Sequence, residues 1–229
     1  MVYIFSIDGN IGSGKSTLVK LLERHKNNFQ YDIEFIQEPV DEWVKIVDDK
    51  GESILTKFYK DQQKYSFSFQ MMAYISRLNN IRNKMKECKD DKKIVIFITE
   101  RSVLTDKNIF ARMLYDENKI EDINYKIYLK WFNEFIDEIP IIGNIYIQTD
   151  PKTSFKRINK RNRDGENIPI EYLENCHKYH EEWLNNNENL IINCNDDFES
   201  NKDKFSNIQE KIYNFIINKI VSQKTSLAC

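Results

Sequence analysis

The fold is decided near the start of the chain by Phe5-Ser6-Ile7-Asp8-Gly9-Asn10-Ile11-Gly12-Ser13-Gly14-Lys15-Ser16-Thr17. This stretch fits the phosphate-binding pattern G-x-x-x-x-G-K-[ST], with a β-prone apolar run before it and helical apolar spacing after it. Glycines let successive backbone N–H groups point at phosphate oxygens, and the next helix adds its positive N-terminal end. The pattern predicts a nucleoside triphosphate site from Gly9 to Thr17, in which Lys15 reaches the outer phosphates and Ser16 binds Mg²⁺.

Glycine usage supports this interpretation. The chain has only 6 glycines, and Gly9, Gly12 and Gly14 lie within six positions of one another. A flexible turn that matches the pattern by chance is therefore disfavoured. The loop alone does not decide what happens to the phosphate, because kinases, ATPases and switch proteins all use it.

Strand-like and helical segments alternate along the chain. Apolar runs predict strands at 1–7, 32–37, 94–98, 144–148 and 190–193, and helical spacing predicts helices at 41–48, 53–59, 61–86, 103–115, 123–137, 152–162, 170–185 and 203–221. This alternation is typical of an α/β fold, so we expect a five-stranded parallel sheet with helices on both faces. The site then lies at the carboxyl ends of the strands. A length of 229 residues predicts a single domain, residues 1–229.

Composition narrows the class of protein. The charges nearly cancel, with 34 Lys and Arg against 36 Asp and Glu, and no basic stripe predicts a nucleic-acid groove. The basic residues between Lys84 and Lys93 are interrupted by acidic ones and indicate a solvated helix end. No apolar run reaches the roughly 18 residues of a membrane span. We therefore expect neither a nucleic-acid nor a membrane partner.

Two features predict a cytoplasmic location. The 4 cysteines show no paired spacing, which is typical of reduced thiols in the cytosol. The first predicted strand begins at about residue 2, which leaves no room for a signal or transit peptide.

Two predicted strands are followed by carboxylates at the edge where the phosphate loop lies. Glu38 follows the second strand and Glu100 follows the third. A carboxylate in this position is typical of a Mg²⁺ ligand or of a base for an attacking hydroxyl. The alternative is a carboxylate that only caps the next helix.

Arg157, Arg161 and Arg163 form the pattern R-x-x-x-R-x-R at the end of a predicted helix. A transferring phosphoryl group spreads its charge over three oxygens, which cationic donors must neutralise. A lone arginine triplet would indicate an ordinary charged surface, but the phosphate loop favours an arginine-bearing lid at about 157–167.

Taken together and in order, these motifs resemble those of the deoxyribonucleoside kinases related to deoxycytidine and deoxyguanosine kinase. The resemblance spans residues 3 to about 198 and rests on Gly9 to Thr17, Glu38-Pro39-Val40-x-x-Trp43, Phe69-Gln70, Glu100-Arg101-Ser102 and the arginine triplet. It implies a P-loop kinase fold and a role in nucleotide salvage. The implied reaction is transfer of the γ-phosphoryl group of ATP, with Mg²⁺, to the 5′-hydroxyl of a deoxyribonucleoside.

The resemblance also assigns catalytic roles. Glu38 resembles the general base for the 5′-hydroxyl, and Arg101 resembles the residue that holds this hydroxyl and the phosphoryl group. Glu100 resembles a carboxylate of the Mg²⁺ site. The other catalytic candidates are Lys15, Arg157, Arg161 and Arg163.

The implied base pocket has two parts. Gln70 would pair with the base, and aromatic side chains would pack around it: Trp43, Phe69 and Phe110. Ala73 and Arg77 share a helix face with Gln70, and Asp106 lies six residues after Glu100. This set resembles the Ala, Arg, Asp arrangement of deoxycytidine and deoxyguanosine kinases, which implies a preference for deoxycytidine or a purine deoxynucleoside over thymidine.

The remaining assignments concern the sugar, the donor and the assembly. Tyr59 and Glu166 resemble the pair that holds the sugar 3′-hydroxyl, and Asp197-Phe198 resembles the loop around the donor base. One departure is Phe58, which stands where deoxycytidine kinase has methionine. The family is dimeric through packed helices, so helices 61–86 and 123–137 are the candidates for a homodimer contact.

Two other functions use the same loop. A nucleoside monophosphate kinase of the thymidylate kinase type shares the sheet and an arginine lid, but its phosphate acceptor needs extra cations rather than a base such as Glu38. A GTP-binding switch is the second alternative, and the chain has no Asn-Lys-x-Asp guanine motif. We therefore predict an ATP-dependent deoxynucleoside 5′-kinase.

Overall fold

A computed structural model describes residues 1–88, 93–163 and 166–227. Residues 89–92 of the predicted solvated helix end lie outside the described residues, as do Cys229 and positions Asp164 and Gly165 of the predicted lid. The sheet has five parallel strands in the order β2-β3-β1-β4-β5. These strands are β1 Val2–Asp8, β2 Asp32–Ile36, β3 Val95–Glu100, β4 Ile141–Gln148 and β5 Leu190–Asn193. The predicted α/β fold with five parallel strands is confirmed.

Helices follow each of these strands. The α-helices are α1 Lys15–Arg24, α2 Val40–Trp43, α3 Ile54–Lys60, α4 Gln62–Glu87, α5 Val103–Thr105, α6 Arg112–Asp116, α7 Asp122–Phe135, α8 Pro151–Arg161, α9 Ile170–Leu184 and α10 Lys202–Leu227. Short 3₁₀ turns lie at Lys26–Asn28 and Ile136–Glu138, and a π-helical turn lies at Asp106–Ala111. No described helix combines the length and the apolar character needed to cross a membrane.

The central strands are apolar on both faces because helices cover both sides of the sheet. Phe5 of β1 and Ile98 of β3 face the side where α1 and α10 pack. Ile4 and Phe97 point to the other side, against α4 and α7. This alternation follows from the two-residue period of a strand, so a continuous apolar run serves two separate cores.

One predicted helix is shorter than expected. The helix predicted at 41–48 ends at Trp43, and Val47 instead forms an isolated bridge with Ser53. The side chain of Asp48 accepts the backbone N–H groups of Lys50 and Glu52, at 2.9 Å in each case. Local side-chain bonds of this kind compete with helix formation, which explains why apolar spacing alone overestimated the helix.

The predicted helix at 103–115 is interrupted rather than absent. Its middle is the π-helical turn Asp106–Ala111, with α5 before it and α6 after it. A π-helical turn inside a helix is frequent at functional sites because it re-aims side chains. Both predicted pocket residues of this segment, Asp106 and Phe110, lie on the turn.

The strand order places the end of β1 between its two neighbours. Ile7 pairs with Glu100 of β3, and Asp8 pairs with Tyr146 of β4. The phosphate loop therefore leaves the sheet between the ends of β3 and β4. In open parallel sheets, ligands bind at this crevice beyond the carboxyl ends of the strands.

Candidate active site

The phosphate loop has a backbone that only glycine tolerates at its start. Gly9 has φ 152°, and a Cβ atom there would lie 2.6 Å from the carbonyl oxygen of Ile147 and 2.8 Å from Ser13 Oγ. Gly12 has φ 76°, and its Cβ would lie 2.6 Å from the carbonyl oxygen of Ser154. The glycines of the motif are thus required both by backbone conformation and by close packing against β4 and α8.

The loop is anchored by its own polar groups. Asn10 Nδ2 donates to the carbonyl oxygen of Leu173 at 2.8 Å, which ties the loop to α9. Lys15 Nζ donates to the carbonyl oxygen of Asn10 at 2.7 Å. Burial, together with the positive charge of Arg101, lowers the pKa of Lys15 to about 7. An anionic ligand would oppose this shift, because negative charge favours the protonated amine.

A cavity of about 880 Å³ lies above the loop and the strand ends. Most of the residues predicted for the site line it: Ile11, Gly12, Gly14, Lys15, Ser16, Thr17, Glu38, Trp43, Tyr59, Phe69, Gln70, Ala73, Arg77, Glu100, Arg101, Asp106, Phe110, Arg157, Arg161, Arg163, Glu166, Asp197 and Phe198. Among the predicted residues, Gly9, Asn10 and Ser13 do not line it, and they form the backbone support of the loop. The structure therefore brings the residues predicted to bind the phosphoryl donor and those predicted to bind the acceptor nucleoside to one cavity.

Glu38 lies between two guanidinium groups. Arg101 Nη1 donates to its two carboxylate oxygens at 2.7 and 2.9 Å, and Arg77 Nη2 donates to Oε1 at 3.0 Å. Burial alone would raise the pKa of Glu38, but the charges of Arg101 and Arg77 outweigh it and lower the pKa to about 2. The carboxylate is therefore ionised in the ligand-free site at neutral pH.

Arg77 connects this carboxylate to the predicted base pocket. Its Nε and Nη2 donate to Asp106 at 2.9 and 3.3 Å, and its Nη1 donates to the carbonyl oxygen of Glu100 at 3.0 Å. Burial alone would lower the pKa of Arg77, but the charges of Asp106 and Glu38 raise it above its usual value. One side chain of α4 thus joins the ends of β2 and β3 to the π-helical turn.

Ser16 and Glu100 meet at the end of the cavity that the phosphate loop forms. The Ser16 hydroxyl donates to Glu100 Oε1 at 2.6 Å. Hydroxyl and carboxylate oxygens are the hard ligands that Mg²⁺ prefers. These two oxygen ligands fit Mg²⁺, the ion that the sequence predicts at this position.

Aromatic rings form the other end of the cavity. Phe58 stacks on Phe69 with ring centroids 4.5 Å apart, and Trp43 meets Phe69 edge-on at 5.5 Å. The guanidinium of Arg101 lies 5.0 Å from the ring of Phe110. Gln70 is buried at the same cavity, and its Oε1 has no hydrogen-bond partner in the described part of the chain. A buried amide oxygen without a protein partner fits a site whose ligand supplies the missing hydrogen bond.

Tyr59 and Glu166 lie near each other at the cavity wall. Burial raises the pKa of Tyr59, and the negative charge of Glu166 raises it further. Arg161 donates to Glu166 Oε2, and Arg163 Nη1 lies 3.9 Å from Glu166 Oε1. Two of the three predicted lid arginines are therefore paired with one carboxylate in the ligand-free structure.

Arg157 is oriented differently from the other two arginines. Its Nη1 donates to the carbonyl oxygen of Ser13 at 3.1 Å, and its Nη2 donates to that of Cys194 at 2.8 Å. It thereby joins the phosphate loop to the segment after β5. That segment continues to Phe198, whose ring carbons lie 3.3 Å from the position of a Cβ on Gly14.

Sequence reasoning missed several residues of the wall. Leu55 lies one helical turn before Tyr59 on α3, so helical spacing was a signal for it. Tyr172 of α9 is buried in the wall next to Phe58, with ring centroids 6.5 Å apart, and no motif marks it. Lys160 of α8 also lines the cavity between the lid arginines.

The charge arrangement around Glu38 predicts an unusual titration. Its pKa is lowered from 4.5 to about 2, so Glu38 adds stability above pH 4.5 that is lost as the pH falls towards 2. In ¹³C NMR of glutamate-labelled protein, we expect one carboxyl signal that does not titrate between about pH 3 and 6 and is absent from Glu38→Gln. Arg77→Met should raise the pKa of this group. Titration near 4.5 in the unmodified protein would contradict the prediction.

Comparisons with known proteins agree with this geometry. The sequence profile of the family "Deoxynucleoside kinase" matches residues 5–218. A Fowlpox virus (strain NVSL) protein named as a probable deoxycytidine kinase is 37% identical, over 92% of this chain and 87% of its own. Deoxycytidine kinase 2 of Gallus gallus and deoxycytidine kinase of Homo sapiens are each 33% identical, over 92% of this chain and 89% and 90% of their own. The resemblance inferred from the motifs is confirmed: the chain belongs to the deoxynucleoside kinase family and is an ATP-dependent phosphotransferase that acts on deoxynucleosides.

Proposed function

We propose that this kinase transfers the γ-phosphoryl group of ATP to the 5′-hydroxyl of deoxycytidine or a purine deoxynucleoside in preference to thymidine. The observation that carries the proposal is the position of Glu38. It lies beside Arg101 and Arg77, in the same cavity as the phosphate loop. A carboxylate is thus available between a nucleoside pocket and a triphosphate site.

Glu38 is the general base in this proposal. The 5′-oxygen attacks the γ-phosphorus, the bond to the leaving ADP oxygen breaks, and the 5′-hydroxyl proton passes to a Glu38 carboxylate oxygen. In the ligand-free site Arg101 and Arg77 hold the pKa of Glu38 near 2, which makes it a weak base. When Arg101 turns to the arriving phosphoryl oxygens, Glu38 loses one of its two cations and becomes more basic.

The donor ATP would be held by groups from four parts of the chain. Ser16 and Glu100 would hold Mg²⁺, which would supply positive charge to neutralise the phosphate oxygens. Lys15 would contact the outer phosphates, and Asp197 and Phe198 would flank the donor base. The lid, at about 157–167, would add Arg161 and Arg163 as phosphoryl contacts. The carbonyl contacts of Arg157 support a role in holding the loop around the donor base.

The acceptor nucleoside would bind at the aromatic end of the cavity. Gln70 would pair with the base between Trp43, Phe69 and Phe110, with Ala73 leaving room beside it. Tyr59 and Glu166 would hold the sugar 3′-hydroxyl. Arg77 and Asp106 would fill the space that a thymine 5-methyl group needs, and their charges would meet an amino-bearing base edge.

A nucleoside monophosphate acceptor fits this cavity less well. Its phosphate would need an unpaired cation at the acceptor end. Arg77, the cation beside the predicted base pocket, is however paired with both Asp106 and Glu38. A panel of nucleosides and their monophosphates, assayed with ATP, tests this: the proposal expects turnover of nucleosides and fails if only monophosphates react.

The role of Glu38 is tested by Glu38→Gln. This change keeps the size and the hydrogen-bonding shape of the side chain but removes the basic oxygen, so kcat should fall by roughly 10² to 10⁴. ATP binding, measured by calorimetry, should persist because the phosphate loop is intact. A kcat close to that of the unmodified enzyme would assign the base elsewhere.

The lid arginines should act mainly on the transition state, where the transferring charge is most exposed to them. We expect Arg161→Ala and Arg163→Ala to lower kcat more than they raise the KM for the nucleoside. Arg112→Ala is the matched control, because Arg112 is an exposed arginine paired with Asp116 outside the cavity. If only KM changes, these arginines form a binding surface and the lid assignment is wrong.

Base preference is tested by Arg77→Met combined with Asp106→Ala. A site of buried polar groups discriminates against a ligand that leaves them unpaired, by up to roughly 10⁴ to 10⁵. The double variant should therefore raise kcat/KM for thymidine relative to deoxycytidine, deoxyadenosine and deoxyguanosine. Arg82→Met with Glu138→Ala is the control, because it removes an exposed ion pair between another arginine of α4 and the turn Ile136–Glu138. Efficient thymidine phosphorylation by the unmodified protein contradicts the assignment.

We also propose a homodimer formed through α4 and α7. Ile123, Ile127 and Trp131 repeat every four residues on α7 and are 60%, 41% and 49% exposed. Tyr74 of α4 donates to the carbonyl oxygen of Trp131, and its neighbour Ile75 is exposed. A continuous apolar face of this kind is typical of a two-fold interface between identical chains.

The dimer is tested by Ile127→Glu. A buried unpaired charge should dissociate the pair, so sedimentation velocity should show a shift from dimer to monomer. Val221→Glu is the control, since Val221 is exposed on α10 at the opposite face of the sheet. A monomer in the unmodified protein contradicts the proposal.

A single domain and a cytoplasmic location complete the proposal. One cavity lined from both halves of the sheet supports the single domain, residues 1–229. Cys88, Cys176 and Cys194 are free thiols, which supports a reducing compartment.

A further inference from the structure

Arg101 has a backbone conformation that an arginine rarely adopts. Its φ is 59°, in the left-handed region. The other non-glycine residues with positive φ in the described part of the chain are Asn118 and Asn162, a residue type that tolerates this region. The conformation is unfavourable for an arginine and persists only where the surroundings impose it. Strain of this kind clusters at active sites.

A buried hydroxyl lies at the centre of the contacts that impose it. The backbone N–H of Ser102, the residue after Arg101, donates to Thr105 Oγ1 at 3.0 Å. The Thr105 hydroxyl in turn donates to Asp8 Oδ1 at the end of β1. The N–H of Arg101 itself donates to the carbonyl oxygen of Ile7 at 3.0 Å. The turn at Arg101 is thus tied twice to the end of β1.

Helix capping explains only part of this arrangement. Ser102 and Thr105 form a capping box at the start of α5, and this box is complete without Asp8. Asp8 is fully buried, and its Oδ2 has no hydrogen-bond partner in the described part of the chain. Burial raises the pKa of this carboxyl group. A buried, half-satisfied carboxylate is costly, so stability alone does not account for an aspartate here.

Asp8 does not line the cavity, so it acts through another residue. The nearest functional group along this chain of bonds is the Arg101 guanidinium, which donates to Glu38 and, through Nη2, to the carbonyl oxygen of Gly9 at 3.3 Å. A change in the φ of Arg101 would move this guanidinium, because the side chain leaves from the same Cα.

We infer that Asp8 and Thr105 are positioning residues that hold the strained backbone of Arg101 and so aim its guanidinium at Glu38 and the reacting oxygens. The inference rests on the role proposed for Arg101. The bonds act in series, from the N–H of Ser102 to the Thr105 hydroxyl and from there to Asp8, and bonds in series polarise one another. Loss of the hydroxyl therefore releases the turn without removing any group that lines the cavity.

The experiment compares three threonine variants by steady-state kinetics. Thr105→Val removes the hydroxyl but keeps the shape, so kcat should fall about 10²-fold, the loss that a misplacement of about 1 Å causes, with smaller changes in both KM values. Thr105→Ser keeps the hydroxyl and should restore kcat to within about threefold. Thr99→Val is the matched control, because Thr99 is equally buried on β3 and its hydroxyl donates to the carbonyl oxygen of Phe5 at 3.3 Å, away from the turn. Its kcat should stay within about twofold of the unmodified value.

A second variant covers the case in which Thr105→Val does not fold. Asp8→Asn keeps the acceptor oxygen but weakens its bond, since a charged acceptor binds roughly twice as strongly as a neutral one. We expect a kcat loss of about tenfold in Asp8→Asn. Where the double variant folds, its kcat should equal that of Thr105→Val alone, because both changes act through the bond between Thr105 and Asp8. A kcat equal to that of the unmodified enzyme in Asp8→Asn contradicts the inference.

The outcome is separable from that of the proposed function. Arg101→Lys should lower kcat if Arg101 holds the reacting oxygens. If Arg101→Lys is impaired while Thr105→Val matches Thr99→Val, only the positioning inference is wrong. If Arg101→Lys keeps full kcat, the role of Arg101 itself is wrong.

Discussion

Two buried guanidinium groups converge on one carboxylate at the carboxyl edge of the sheet, and the site depends on this contact. Arg101 and Arg77 both donate to Glu38. Removing one member of such a buried group leaves an uncompensated charge and costs about 3–5 kcal/mol. The same contact lowers the pKa of Glu38 to about 2. In the proposed function, one carboxylate would therefore couple stability to catalysis.

The fold supplies this convergence through strand order. β3 lies between β2 and β1, so Glu38 after β2 and Arg101 after β3 come off adjacent strand ends. Arg77 reaches them from α4, which also contributes Tyr74 and Leu78 to the core. Packing of α4 against the sheet thus sets the position of the Arg77 charge. A looser core would therefore displace this charge within the site.

Several cations of the cavity have partners within the protein. Arg101 contacts Glu38, Arg161 and Arg163 lie at Glu166, and Lys15 contacts the carbonyl oxygen of Asn10. Each of these cations has a protein partner that a phosphate or a hydroxyl can replace. In the proposed reaction, phosphate binding would exchange these internal partners for charge-assisted bonds to the ligand.

The sequence by itself determined the phosphate loop, the parallel α/β sheet and the family, because glycine spacing, apolar periodicity and short ordered motifs are local properties of the chain. The sequence overestimated one helix, which ends at Trp43. Further along the predicted helix, the side chain of Asp48 accepts the backbone N–H of Lys50 and so competes with helix formation. Only the tertiary structure decided that Arg77 donates to a carboxylate 39 residues away and that Thr105 donates to an aspartate 97 residues away. Such contacts join distant segments, and their geometry is set by strand order and core packing, which no local pattern encodes.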